Sequence, residues 1–135
     1  MATAEIIYTG ELRTTATHLK SGTVIETDAP VDNNGKGERF SPTDLVAAAL
    51  GSCMLTIMGI KARDNNWPID GTKISVTKIM GTEPRRITGI NVIFDMPAGH
   101  GLGDKEKTIL ERAAHTCPVA QSIHPDIKQD ITFNW

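Results

Sequence analysis

The chain has 135 residues, enough for one compact domain and too few for two ordinary ones. Apolar side chains make up 39% and charged ones 22%, which excludes a disordered tail. Fourteen basic side chains against sixteen acidic ones give a net charge of −2 and an isoelectric point near 6.0. That balance argues against a nucleic-acid partner or an anionic membrane, and an aromatic content of 4% is too low for a base-stacking surface.

Fifteen isoleucines, six valines and sixteen threonines favour strands. Residues 1–10 lack a basic start and a long apolar stretch, so no secretory signal is expected and the expected location is cytoplasmic. The longest uncharged apolar run, Leu45 to Ile60, has sixteen residues and includes Gly51, Ser52, Thr56 and Gly59. It is shorter and more polar than the ~20 residues of a membrane span. It reads as a core helix buried on most sides.

In chain order, residues 5–9 and 12–18 form strands around a turn at Gly10-Glu11. A second turn at Ser21-Gly22 leads into a strand over 23–27. Residues 28–41, with Pro30, Asn33, Asn34, Gly35 and Gly37, form a loop long enough to suggest a functional role. Ser41 is the expected N-cap and Pro42 the first residue of the central helix. Asp44 places a carboxylate in its first turn, where the dipole favours it. That helix runs to about Arg63.

Strands over 72–80 and 86–95 follow, then a loop over 97–103. A helix from Asp104 to Thr116 carries Ile109, Leu110, Ala113 and Ala114 at helical spacing. A short helix follows Pro118, and a strand over 127–135 alternates with Ile127, Ile131, Phe133 and Trp135 inward. Two hairpin groups separated by a buried helix indicate an α+β fold of antiparallel sheets. No linker divides the chain, so residues 1–135 read as a single domain.

Two cysteines carry the chemistry. In a reducing compartment they are free, metal-bound or catalytic rather than a structural staple. Cys53 shares a helical stripe with Ala49, Ile57 and Ile60, and Cys117 extends the stripe of Ile109 and Ala113, so both point inward. If Cys117 caps the short helix, the nearby backbone N–H groups lower its thiol pKa. Buried cysteines also serve as small hydrophobes, and spacing alone leaves both readings open. His100 and His115 form no C-x-x-C or H-x-x-x-H pattern with the cysteines, so no metal is expected. Gly99, Gly101 and Gly103 lack the strand–turn–helix context of a dinucleotide loop. Trp67 and Trp135 read as packing residues.

The segment Ser41-Pro42-Thr43-Asp44-Leu45-Val46-Ala47-Ala48-Ala49-Leu50-Gly51-Ser52-Cys53 resembles the signature of the OsmC/Ohr family of thiol peroxidases. Cys117-Pro118-Val119-Ala120-Gln121-Ser122-Ile123 resembles its second motif, and Gly10 to Arg13 its early G-x-L-R segment. The resemblance implies an OsmC-like α+β fold, two antiparallel sheet portions around a central buried helix, in an intertwined homodimer with active sites at the subunit interface. It implies a peroxidase acting on organic hydroperoxides through a Cys53 sulfenate and a Cys53–Cys117 disulfide, reduced by an external dithiol, with no cofactor. It also implies an arginine, held by a carboxylate, that activates Cys53. Arg13 matches that arginine by its context, with Arg39 as competitor. The acidic residue usual after the proline is Thr43 here; Asp44 takes the next position, and Glu38 lies nearby. A non-catalytic dimer binding a hydrophobic small molecule is the alternative that this departure favours.

Overall fold

A computed structural model describes residues 1–135. The chain forms two compact units, Met1–Val46 and Ala47–Trp135. In the first unit, β1 (Ala4–Gly10), β2 (Arg13–His18) and β3 (Val24–Asp28) make an antiparallel meander in that order. The first turn falls one residue later than its glycine suggests. Gly10 pairs with Arg13, so the two turn residues are Glu11 and Leu12, at φ 53° and 63°. Positive φ at both central positions is what a tight hairpin of right-twisted strands requires. Leu12 tolerates it because both its backbone groups are bonded. Its N–H donates to the Tyr8 hydroxyl at 3.2 Å, and its carbonyl accepts from Ala29 N at 3.0 Å.

A single 3-10 turn, Val31–Asn33, interrupts the loop that follows β3. The loop folds back so tightly that a Cβ on Gly35 would lie 1.8 Å from the Ala29 carbonyl oxygen. Only glycine fits there. The meander has little core of its own: Ile6, Ile7 and Tyr8 on β1 and Val24 and Ile25 on β3 are all exposed.

Helix α1 (Pro42–Asp64) begins with a reciprocal cap. Ser41 Oγ accepts from Asp44 N at 3.0 Å, and Asp44 Oδ2 accepts from Ser41 N at 2.9 Å. Two otherwise orphaned N–H groups are satisfied. The helix has 23 residues, more than the apolar run alone indicated, and is long and apolar enough to cross a membrane. Its buried residues Ala47, Leu50, Gly51, Met54, Met58 and Ala62 recur at three- and four-residue steps, the stripe of a core helix. The expectation of burial on most sides is corrected. Ser52, Thr56 and Ile60 are exposed, because within the second unit the helix has one sheet to pack on and one face to bury.

That sheet has the order β4 (Lys73–Gly81), β5 (Arg86–Asp95), β6 (Lys128–Asn134). β4 and β5 form an antiparallel hairpin, whereas β6 lies parallel to β5, so the second sheet is mixed rather than wholly antiparallel. Parallel neighbours need a crossover of a dozen or more residues. Helices α2 (Asp104–His115) and α3 (Pro118–Ser122) provide it. On β5, Ile90, Val92 and Phe94 are fully buried together with Leu50, Met54, Met58, Leu110 and Cys117. Phe94 stacks on Phe133 with centroids 4.6 Å apart, and Phe133 on Trp135 at 6.0 Å. Phe94→Ala removes the largest member of this core and should cost about 3–5 kcal/mol, read as a lower denaturation midpoint in urea.

Candidate active site

The second unit brings the two cysteines together. Both are free thiols, and Cys53 lies close enough to Cys117 to help raise its pKa. Cys53 shares its side of α1 with Ala49, Ile57 and Ile60 as expected, but that side is the flank of the helix and not its buried face. The buried stripe of α1 contains Leu50, Met54 and Met58, and Cys53 sits on its flank, half-buried. On α2 the buried line is Leu110 and Ala114, and it leads to Cys117, which is fully buried.

Cys117 is the N-cap of α3, and its sulfur accepts from Ala120 N at 3.3 Å. The cap is as expected, but its electrostatic consequence is reversed. Burial of the sulfur and the neighbouring Cys53 raise the Cys117 pKa above its ordinary value, outweighing the Ala120 and Val119 N–H groups that lower it. A five-residue helix contributes little dipole, while desolvation acts directly on the charged thiolate. Cys117 is therefore a protonated thiol at neutral pH, and Cys53 is the sulfur with the wider access.

The first unit builds a separate charged cluster. Arg13 Nε donates to Asp28 Oδ1 at 2.6 Å and Arg13 Nη2 to Asp28 Oδ2 at 2.8 Å, a bidentate pair. Arg13 Nη2 also donates to Glu38 Oε1 at 3.1 Å. The Glu38 backbone N–H donates to Asp28 Oδ2 at 3.1 Å, so the loop is tied to the same carboxylate. The Arg13 side chain is 21% exposed and that of Asp28 is fully buried. Arg13 holds the Asp28 pKa down to about 2, and Asp28 in turn raises that of Arg13. Arg39 pairs instead with Glu26 at 3.0 Å on the surface.

The carboxylates on Arg13 are thus Asp28 and Glu38, while Asp44, expected among the site residues, closes the start of α1. Asp28 went unnoticed in the sequence, because the turn expected at Ser21-Gly22 sets a different register. His18 N donates to Thr23 O across the second turn, and counting outward from that closure puts Arg13 opposite Asp28, the register observed. His100 is engaged with Leu102 N and the Trp135 carbonyl, and no group of three His, Cys, Asp or Glu side chains is placed to hold a metal ion.

An α+β chain with a mixed sheet, a capped central helix and a paired thiol on each of two helices defines a class of two-cysteine proteins. The pattern of OsmC-like proteins matches residues 35–132, and the chain belongs to that family. It is 52% identical to a protein of Psychrobacter arcticus 273-4, provisionally described as an osmotic stress induced and detoxification response protein. The match covers 99% of this chain and 96% of that one at a TM-score of 0.95. The fold is shared with an organic hydroperoxide resistance protein OsmC of Legionella pneumophila (16% identity, 100% and 98% of the two chains, TM-score 0.76). It is also shared with the organic hydroperoxide resistance protein OhrB of Bacillus subtilis (18%, 98% and 98%, 0.65). No curated protein matches the sequence.

The Arg13–Asp28 pair gives stability a defined pH dependence. The folded-state pKa of Asp28 is depressed from 3.8 to about 2. Its contribution is therefore complete above the unfolded value and is lost as pH falls through the folded one. Asp28→Asn should flatten the loss of stability between those two values, measured as the urea midpoint against pH.

Proposed function

We propose that this protein is a thiol-dependent peroxidase for organic hydroperoxides, with Cys53 as the attacking residue and Cys117 as the resolving one. The observation that carries the reading is the pairing of a half-accessible Cys53 with a buried, protonated Cys117. The organic hydroperoxide resistance proteins of the same fold support it.

The thiolate is the reactive form of cysteine. The Cys53 thiolate attacks the distal oxygen of ROOH, the O–O bond breaks, and the alkoxide leaves as ROH with one proton from solvent or a nearby thiol. Cys53 is then a sulfenic acid. Cys117 loses its proton and attacks that sulfur, forming the Cys53–Cys117 disulfide and releasing water. An external dithiol, itself oxidised to a disulfide, returns both cysteines to thiols.

In this reading Arg13 stabilises the attacking thiolate. Its bidentate anchoring by buried Asp28 favours it over Arg39, whose carboxylate partner Glu26 is at the surface. A cation within ~4–6 Å lowers an acid's pKa by about 1–3 units. Cys53→Ser should abolish peroxide consumption. Cys117→Ser should consume about one equivalent per site and stop with oxygen on Cys53, visible by mass spectrometry. Arg13→Ala should slow wild-type oxidation by at least ~10-fold. Oxygen accumulating on Cys117 when Cys53 is replaced would reverse the roles, and a loss confined to Arg39→Ala would move the cation.

The working form in this reading is a homodimer. The exposed Ile6, Ile7, Tyr8, Val24, Ile25 and Ile60 leave apolar surface that a second copy would cover, in an obligate interface on the order of 2,000 Å² or more. Sedimentation at micromolar concentration should show a dimer; a stable folded monomer would overturn this assembly.

A further inference from the structure

Where α1 ends, the chain turns into β4 and builds a hollow well away from the thiols. The helix closes with two backbone bonds: Trp67 N donates to Ala62 O at 2.8 Å, and Asn66 N to Arg63 O at 3.2 Å. Asn66 takes the left-handed conformation at φ 57°. This closure fixes the direction in which the chain leaves the helix and sets the position of Trp67, which packs against the core but stays partly exposed. Two residues on, Ile69 O accepts from Thr72 N at 3.1 Å. Asp70 and Gly71 are the central pair of that turn, whose third position needs a positive φ; Gly71 supplies it at 89°. Asp70 is left exposed at the tip.

The loop that follows β5 forms the opposite wall. Trp67, Pro68, Asp70, Pro97 and His100 line an open hollow of about 440 Å³, in the range of small-molecule sites. Two bonds fix the His100 ring. Its Nδ1 accepts from Leu102 N at 2.9 Å, and its Nε2 donates to the Trp135 carbonyl at 3.0 Å. An imidazole that accepts at one nitrogen and donates at the other is uncharged. Asp70 is therefore the one charge in the lining, and its carboxylate has no ion pair or hydrogen bond within the chain. None of these residues belongs to the apolar surface assigned to a second copy.

These groups select a charge type. Aromatic faces attract cations through their negative π surface, and the proline rings offer apolar contact. An unpartnered carboxylate favours a positive charge and repels an anion. A bare metal cation of the hard type needs several oxygen ligands, whereas the lining has a single carboxylate. A cation covered by methyl or methylene groups uses all of these surfaces at once.

We propose that this hollow is a binding site for a small organic ammonium ion, with its charge against Trp67 and Asp70 and its alkyl groups against Pro68 and Pro97. Eleven residues separate Cys53 from Asp64 at the end of α1, ~16 Å along the axis at ~1.5 Å per residue. The site is separate from the thiol pair, involves no covalent step and does not depend on the peroxidase reading.

Choline and its neutral isostere 3,3-dimethylbutan-1-ol differ in a nitrogen replaced by carbon, and serve as probes. Titrations of isotope-labelled protein are followed by NMR at the Trp67 indole N–H and at the Gly99 and His100 amides. Choline should give saturable shifts there and bind at least ~5-fold more tightly than the isostere, the factor a partly exposed cation–π contact supplies. Asp70→Asn alters an exposed side chain and leaves the core intact; it should weaken choline by about 3-fold or more and leave the isostere unchanged. Trp67→Leu should weaken choline by at least ~5-fold, read at the two amides; if that variant does not fold, Asp70→Asn decides alone. A response to choline no stronger than to the isostere would overturn the proposal. So would saturable shifts confined to other positions, or an Asp70→Asn variant that binds choline as the wild type does.

Discussion

The rotation of α1 about its own axis decides where the chemistry falls. Leu50, Met54 and Met58 share one buried core with Ile90, Val92 and Phe94, and a helix that commits that stripe has no freedom left to turn. Gly51 lies over Ile74 and Val76 of β4, on the sheet side of the helix. With the stripe fixed, Cys53 is carried to the flank, neither sealed in the core nor turned fully to solvent. Cys117 reaches it from the other side because the buried line of α2 ends on it. Close packing of this kind tolerates little sliding, so the two sulfurs are held near one another by core residues that take no part in any reaction.

The same geometry gives two thiols of one chemical type different characters. Cys117 gains an N–H donor from α3 but loses more through desolvation, so it keeps its proton. Cys53 lies where a reagent has wider access. The proposed reaction uses this difference in access, since two equally open thiols would compete for the same oxidant instead of acting in turn.

Local patterns were the legible part of the sequence. The Ser41–Asp44 cap, the Asp104 start of α2, the alternation of β6 and the cysteine motifs all depend on residues close in the chain, and the structure has each of these elements within a residue or two of its expected bounds. What the pattern left unresolved depends on partners far away. The parallel placement of β6 follows from a crossover by α2 and α3, which alternation along one strand does not record. The burial of α1 was overestimated because composition counts apolar residues without counting the surfaces available to cover them. Asp28 was missed because its partner lies fifteen residues back across a turn, and only a register count reveals it. For Cys117 the cap was readable, but the depth of burial that reverses its effect was not.

The mixed second sheet has a consequence for how the molecule assembles. Strands β1 to β3 meet neighbours across short turns, whereas Val92 on β5 waits for Ile131 on β6, and Cys53 for Cys117, across much longer stretches of chain. Short-range pairings close with less entropy loss and form faster than long-range ones. The meander that anchors Arg13 is therefore ready early, and the unit that joins the thiols is completed late. During that interval both cysteines are uncovered, and burial does not yet hold the Cys117 pKa above its ordinary value. A chain caught part-way therefore exposes both thiols to oxidants more fully than the finished protein does.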